Sequence, residues 1–259
     1  MTNVTELWID RTDFRKTNIV HRDIEPIEQG QVLVAIDRFS LTSNNVTYAV
    51  VGDNIGYWGY YPASENWGKV PAWGCANVVE STIDEIPVGE RVWGFFPMAS
   101  HAVLQPGKIR QDQWFDMAEH RQTLPALYNV FRRTQAEPEL LTQMENERCL
   151  LFPLFTTSFL IADFLLDNQC FGAEQIVIGS VSSKTGFGLA KMLRNDPAIS
   201  QRIIGFTSAA NVDFVTSLQC CDEVLVYGDE AKVDANIATA YVDMSGDVRL
   251  TSALHNHLQ

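Results

Sequence analysis

Gln175-Ile176-Val177-Ile178-Gly179-Ser180-Val181-Ser182-Ser183-Lys184-Thr185-Gly186-Phe187-Gly188-Leu189-Ala190 is the stretch that decides the fold. Ile176-Val177-Ile178 is short and wholly apolar, as a strand of a parallel sheet covered on both faces must be. A polar turn follows, and then the pattern predicts a helix from about Gly186 to Arg194, closed by Asn195-Asp196-Pro197. Ile203-Ile204-Gly205-Phe206-Thr207 reads as the second strand, with Asn211 placed to cap the next helix. Val224 to Tyr227 and Ala240 to Met244 supply the third and fourth strands. Strand–helix alternation of this kind predicts an α/β domain with a doubly wound parallel sheet of Rossmann type. The full dinucleotide sheet has six strands, so this one is expected to be truncated after about four, with the last exposed as an apolar edge.

Upstream, the pattern differs. Gln31 to Ile36 after the turn Glu28-Gln29-Gly30, Arg91 to Phe96 after Pro87-Val88-Gly89-Glu90, and Ser100 to Leu104 read as half-buried strands. Short strands at such spacing predict a barrel or a partly open barrel. Polar residues dominate from about 110 to 148, where Leu127, Val130 and Phe131, then Leu140, Leu141 and Met144, have helical spacing. The expected division is a β-rich domain over 1–148, carrying a helical insertion at about 110–148, and a Rossmann-type domain over 149–259.

Composition limits the partners. With 19 Lys and Arg against 32 Asp and Glu, the 259-residue chain carries a formal net charge of -13. Such a surface repels phosphate backbones and anionic lipid, so neither nucleic acid nor membrane is expected as a partner. Five cysteines without a C-x-x-C pair fit neither a disulfide framework nor a structural zinc site, which predicts a reducing compartment, the cytoplasm. The N-terminus lacks the basic start and apolar run of a signal peptide. Cys149 to Leu166, interrupted by Pro153, Thr156, Thr157, Ser158 and Asp163, reads as a buried helix too short and too polar for a bilayer.

The first strand–helix turn must bring backbone N–H groups against a diphosphate at a helix N-terminus. Mapped on G-x-G-x-x-G, its glycine positions are Ser183, Thr185 and Gly188. Small hydroxyl residues there, Ser182 included, still allow close approach and donate to phosphate oxygens, and Lys184 adds charge. A solvated turn with no ligand is the alternative. A triphosphate loop is excluded, because Ser183 and Ile178 stand where that motif needs glycine. After the second strand, NAD-selective folds place an acid for the ribose hydroxyl. Thr207, Ser208 and Asn211 stand here instead, which favours NADP(H); as alternatives they are simply helix-capping residues.

The order of elements resembles the medium-chain dehydrogenase/reductase superfamily, in which a GroES-like barrel precedes the nucleotide domain. Pro87-x-Gly89-Glu90-Arg91-Val92-Trp93-Gly94 resembles that superfamily's turn–strand signature, and Thr185-Gly186-Phe187-Gly188-Leu189-Ala190 resembles the phosphate turn of its quinone-reductase-like members. Ser43-Asn44-Asn45-Val46-Thr47-Tyr48 occupies the place of their active-site segment, and Thr156-Thr157-Ser158 resembles the helix start that lines the nicotinamide pocket. The Ser-Ser-Lys-Thr turn and the insertion point to a branch of unknown function. Zinc members carry Gly-His-Glu where this chain has Gly74-Cys75-Ala76, and Cys where it has Thr42 or Ser43, so no metal is expected.

The resemblance implies a zinc-independent, NADPH-dependent reductase acting on a small conjugated carbonyl, quinone or enoyl-type substrate. Asn44 and Tyr48 would be catalytic: Tyr48 as an acid beside the carbonyl, Asn44 bonding the substrate oxygen or the nicotinamide. Thr157, Ser182, Ser183, Lys184, Thr185, Gly186, Gly188, Thr207, Ser208 and Asn211 would hold the cofactor. The complete protein could form a homodimer. The aromatic stretch Gly56-Tyr57-Trp58-Gly59-Tyr60-Tyr61-Pro62, with Trp67 and Trp73, would either wall a substrate pocket or pack as core. The other expectations are a nucleotide-binding relative without turnover, or an inactive fragment.

Overall fold

The computed structural model describes residues 2–258, which fall into two compact units divided at Leu150/Leu151.

The first unit is antiparallel β. Strands β1 (Thr2–Asp10), β2 (Thr17–Ile24) and β3 (Val32–Phe39) precede two short helices, α1 (Ser43–Val50) and α2 (Gly52–Ile55). Then come β4 (Trp67–Gly68), β5 (Pro71–Ser81), β6 (Arg91–Pro97), β7 (His101–Leu104), β8 (Pro106–Gly107), β9 (Gln113–Asp116), β10 (Val130–Arg133) and the one-turn helix α3 (Glu139–Gln143). Seven strands pair in the order β7-β3-β5-β6-β10-β9-β8, and three more in the order β2-β1-β4. The Leu7 N–H donates to Met98 C=O and the Ser100 N–H to Thr5 C=O, each at 2.9 Å, and these bonds draw the two sheets into a near-barrel. Val32, Val34, Ala76, Val78, Phe95 and Leu104 fill its core.

Of the helical insertion expected at about 110–148, Leu140 and Leu141 lie in α3, but the earlier part is not an α-helix. Val130 and Phe131 lie in β10, paired with Phe115 and Trp114 of β9, and Phe131 stacks on Trp114 with ring centroids 4.7 Å apart. Their spacing suits a helix, but both residue types favour a pleated surface, and a partner strand buries Phe131 completely. The aromatic stretch after Gly56 is core as well: Tyr57, Trp58, Tyr60 and Tyr61 are buried. Trp58 is wedged between two backbones, for a Cβ on Gly52 or Gly68 would come within 2.3 or 2.2 Å of its indole.

Helix α4 (Glu145–Asp167) contains the division between the units. It corrects the expectation of a short, buried helix. It has 23 residues and, over its most apolar window, a mean hydropathy of 2.0 with only 28% of that window buried. By length and composition it could cross a membrane. The hydroxyls that suggested an interruption are satisfied inside the helix: Thr156, Thr157 and Ser158 donate to the carbonyls of Phe152, Pro153 and Leu154. Pro153 has no N–H for the Cys149 carbonyl one turn back, and the Ser40 hydroxyl donates to that carbonyl at 2.6 Å instead.

In the second unit β11 (Gln175–Ile178), α5 (Lys184–Asn195), β12 (Arg202–Thr207), α6 (Val212–Ser217), β13 (Glu223–Val226), β14 (Thr239–Val242) and α7 (Val248–His257) follow in turn. The strands are parallel in the order β13-β12-β11-β14, the first four places of the Rossmann order. Burial on both faces explains the apolar run in β11. Ile176 and Ile178 pack with Leu189, Ala190 and Leu193 of α5, while Val177 packs with Leu250 and Leu254 of α7.

Candidate functional site

The chain leaves β11 at Ile178 and turns through Gly179 and Ser180, the latter at φ 51°. The Val181 N–H donates to Phe206 C=O at 2.9 Å and pins the turn to β12. Ser183 caps α5: its hydroxyl oxygen accepts from the Gly186 N–H at 3.0 Å, and its carbonyl accepts from the Phe187 N–H at 2.9 Å. The cap starts the helix at Lys184, two residues before the predicted Gly186. The Lys184 and Thr185 N–H groups then lie in the first turn, where a helix has no internal acceptor. With the helix dipole, the exposed Lys184 side chain and the hydroxyls of Ser182, Ser183 and Thr185, these donors suit an anionic diphosphate.

Two glycines have different tasks from those of the nucleotide fingerprint. A Cβ on Gly186 would lie 2.5 Å from the Ser180 carbonyl oxygen, so Gly186 closes the turn onto its own helix. A Cβ on Gly188 would lie 2.7 Å from both Phe155 Cδ1 and Ser158 Oγ. Gly188 therefore admits α4, not the sheet, to the face of α5. Ser158, fully buried, also reaches the Thr185 carbonyl at 2.8 Å and ties α4 to the phosphate turn. Its role was illegible in sequence because the contact joins two separate helices. Thr157 beside it is exposed, its hydroxyl donated to Pro153 C=O at 3.2 Å.

At the end of β12, Thr207 is fully buried and its hydroxyl donates to Ser182 Oγ at 2.9 Å. The Asn211 amide donates to the same oxygen at 3.2 Å and forms no side-chain cap on α6. Ser182 thus accepts two hydrogen bonds, which leaves its own O–H to point elsewhere as a donor. Thr207, buried, acts on this hydroxyl, while Ser208 and Asn211 remain exposed. The structure brings Ser182, Thr207 and Asn211 into one hydrogen-bonded group across the turn.

In the first unit, α1 carries Asn44 and Tyr48 one turn apart, hence on one face. The Thr42 hydroxyl oxygen accepts from the Asn44 N–H at 3.3 Å, and Asn45 completes the cap by accepting from the Thr42 N–H at 2.8 Å. Asn45 also donates to Pro71 C=O at 3.0 Å, so Asn45 is structural and Asn44 has the freer side chain. Tyr48 is buried against Tyr57 and Phe95, with ring centroids 4.6 and 5.5 Å away. Burial pushes its phenol above the ordinary value, and the Trp73 indole and Asn44 amide partly counter this. Tyr57 is raised further, by burial and by the Tyr128 hydroxyl at 2.8 Å. Trp73 stacks on Trp93 at 4.7 Å. Cys75 is wholly buried, and among the described residues no three His, Cys, Asp or Glu side chains lie close enough to share a metal ion.

A family model described as a protein of unknown function, DUF2855, matches residues 39–259. No curated protein matches the chain. Among solved structures it is similar to CurA from Vibrio vulnificus, with a TM-score of 0.63 at 15% identity over 100% of this chain and 69% of that one. It is also similar to S. aureus TarJ, solved in complex with NADPH, with a TM-score of 0.56 at 13% identity over 98% of this chain and 68% of that one. A mutant enoyl thioester reductase from Candida tropicalis gives a TM-score of 0.53 at 10% identity, covering 90% of this chain and 63% of the other. The chain thus spans less than two thirds of the last structure and little more of the others. At these identities the likeness is one of fold.

Proposed function

The chain belongs to the DUF2855 family of proteins of unknown function, and on that premise we propose that it is a zinc-independent, NADPH-dependent reductase of a small conjugated carbonyl compound, of quinone or enoyl type. The observation that carries this reading is the turn between β11 and α5. It offers two first-turn N–H donors, hydroxyls and a lysine to a diphosphate, with no carboxylate among Thr207 to Asn211 to repel a 2′-phosphate. The fold likeness to an enoyl thioester reductase and to TarJ, solved in complex with NADPH, supports it. The net charge of -13 disfavours a nucleic-acid partner.

In this proposal Lys184, Thr185, Ser182 and Ser183 hold the diphosphate, and Ser208 and Asn211 take the 2′-phosphate. Thr207 acts through Ser182 as a positioning residue, and Thr157 lies beside the nicotinamide. Reduced nicotinamide, when bound, supplies the hydride. Tyr48 donates a hydrogen bond to the substrate oxygen and Asn44 orients it, so charge developing on that oxygen meets donors rather than a metal.

The test is a titration of the protein with NADPH and with NADH, followed by oxidation of the bound NADPH across a panel of enones and quinones. NADPH binding with turnover of at least one carbonyl is expected. Absence of NADPH binding would remove the whole reading. Binding without turnover would support the second reading, a nucleotide-binding relative that does not react. One observation favours that alternative: burial makes the Tyr48 phenol a weaker acid than a free tyrosine.

A further inference from the structure

Beside the edge of the parallel sheet lies a cavity of about 550 Å³, bounded by Ile161, Phe164 and Leu165 of α4, by Cys170 and Phe171 after it, and by residues 238–243 along β14. None of the residues assigned above to substrate or cofactor lines it. Among the described residues no strand lies beyond β14. The carbonyls of Ala238 and Val242 accept from the Gln175 and Gly179 N–H groups at 3.2 and 2.9 Å, so these residues turn their backbone towards β11. Backbone groups alternate along a strand, and Thr239 and Tyr241 therefore aim N–H and C=O outward.

Such a row is a template for another strand, and proteins usually blunt it with charge. The opposite edge is blunted so, for β13 carries Glu223, preceded by Asp222. β14 has no charged residue. Asp243, the one charged residue lining the cavity among the described residues, spends its carboxylate on the Ser245 and Gly246 N–H groups at 2.8 and 2.9 Å and on the Thr251 hydroxyl at 3.2 Å. The facing wall is apolar and open. Phe164 and Phe171 are 57% and 61% exposed, with ring centroids 5.4 Å apart. Phe171 is held there by successive left-handed residues, Gln169, Cys170 and Phe171, at φ 51°, 48° and 55°. L-residues adopt that conformation singly and at a cost. Here it buries Cys170 in the core and turns Phe171 out beside Phe164.

We propose that the occupant of this edge is a second copy of the chain, joined by antiparallel pairing of β14 with β14 about a two-fold axis perpendicular to the sheet at Ala240. In a chain of net charge -13 most faces repel their own copy, and this one is nearly free of charge. The register follows from size. Ala240 meets Ala240 of the second copy, Ala238 meets Val242, and Thr239 meets Tyr241, with which it exchanges N–H···O=C bonds. Ala240 and Val242 pack on the α4 side of the sheet. Val242 of each copy thus enters the other's cavity, beside Phe164 and Phe171. A two-fold contact of this kind closes on itself and stops at the dimer. It needs no nucleotide, so its test is independent of the reductase reading.

Sedimentation equilibrium of the whole chain without nucleotide, over a concentration series, should show a reversible monomer–dimer equilibrium built on the 29.1 kDa monomer. Phe164→Glu, at an exposed position, should raise the dimer dissociation constant at least about tenfold while the far-ultraviolet circular dichroism stays unchanged. Ala240→Cys reads the register. Its non-hydrogen-bonded pair sets the two Cα atoms about 4.5 Å apart, within disulfide reach, so diamide should link the copies covalently. Ala238→Cys meets Val242 instead and should stay unlinked. The proposal is overturned if the chain sediments only as a monomer or only as larger aggregates, if Phe164→Glu dimerises like the wild type, or if Ala240→Cys links no more readily than Ala238→Cys.

Discussion

Replacing Gly188 by alanine sets two known effects against each other in the middle of α5. Helix propensity favours alanine by about 1 kcal/mol. Packing opposes it, since the new methyl would sit 2.7 Å from Phe155 Cδ1 and 2.7 Å from Ser158 Oγ. Overpacking of this kind costs roughly 1–3 kcal/mol. Ser158 cannot swing aside without giving up its contacts to the Leu154 and Thr185 carbonyls, which adds about 1 kcal/mol. Packing wins, and Gly188→Ala should destabilise the second unit by about 1–3 kcal/mol. At about 4–8 °C per kcal/mol for a domain of this size, differential scanning calorimetry should show its melting temperature fall by roughly 4–24 °C. Adding Phe155→Ala removes one wall of the clash, and the double-mutant cycle should return a coupling of at least about 0.5 kcal/mol. A Gly188→Ala variant that melts higher than the wild type would refute the argument, because propensity would then have decided the sign.

Lys184→Ala, at an exposed position, should weaken NADPH binding severalfold while leaving the apo melting temperature unchanged; an unaltered affinity by fluorescence titration would remove Lys184 from the site. NADPH should bind at least about tenfold tighter than NADH, about 1.4 kcal/mol, and equal affinities would defeat the reading of Thr207 to Asn211. Ser183→Ala deletes the cap on Gly186 and should cost about 1 kcal/mol in chemical denaturation, a loss that the same change at Ser208 should not produce. Burial raises the Glu6 carboxyl, but the hydrogen bonds from Arg22, Lys69 and Trp8 outweigh it and hold the group at about 2. Its folded value lies below the unfolded 4.5, so this stabilisation is complete above about pH 4.5 and is lost as the pH falls towards 2. Glu6→Gln should therefore flatten the acid limb of the stability curve, and an unchanged limb in urea melts at pH 3 would count against it.

The parallel sheet was legible from Ile176, Val177 and Ile178 because burial on both faces leaves an unmistakable run, and strand order followed from alternation with helices. The start of the helix after β11 was legible to within two residues because capping is local chemistry, whereas Asn211, expected to cap the next helix, forms no side-chain cap and donates to Ser182 instead. Residues 110–148 could not be read so. Leu127, Val130 and Phe131 have helical spacing, and only the distant strands β6 and β9 make Val130 and Phe131 extended. Polarity in α4 misled for a related reason: Thr156, Thr157 and Ser158 look like breaks in an apolar run, yet Thr156 and Thr157 return their protons to the preceding turn and Ser158 shares its own between that turn and the Thr185 carbonyl. The site divides along the same line. That hydroxyls replace glycine and acid around Ser182 and Thr207 is a property of the sequence. That Thr207 faces inward to Ser182 and that Gly188 serves α4 were decided by the tertiary structure, because hydrogen bonds and close contacts between distant segments exist only once the chain has packed.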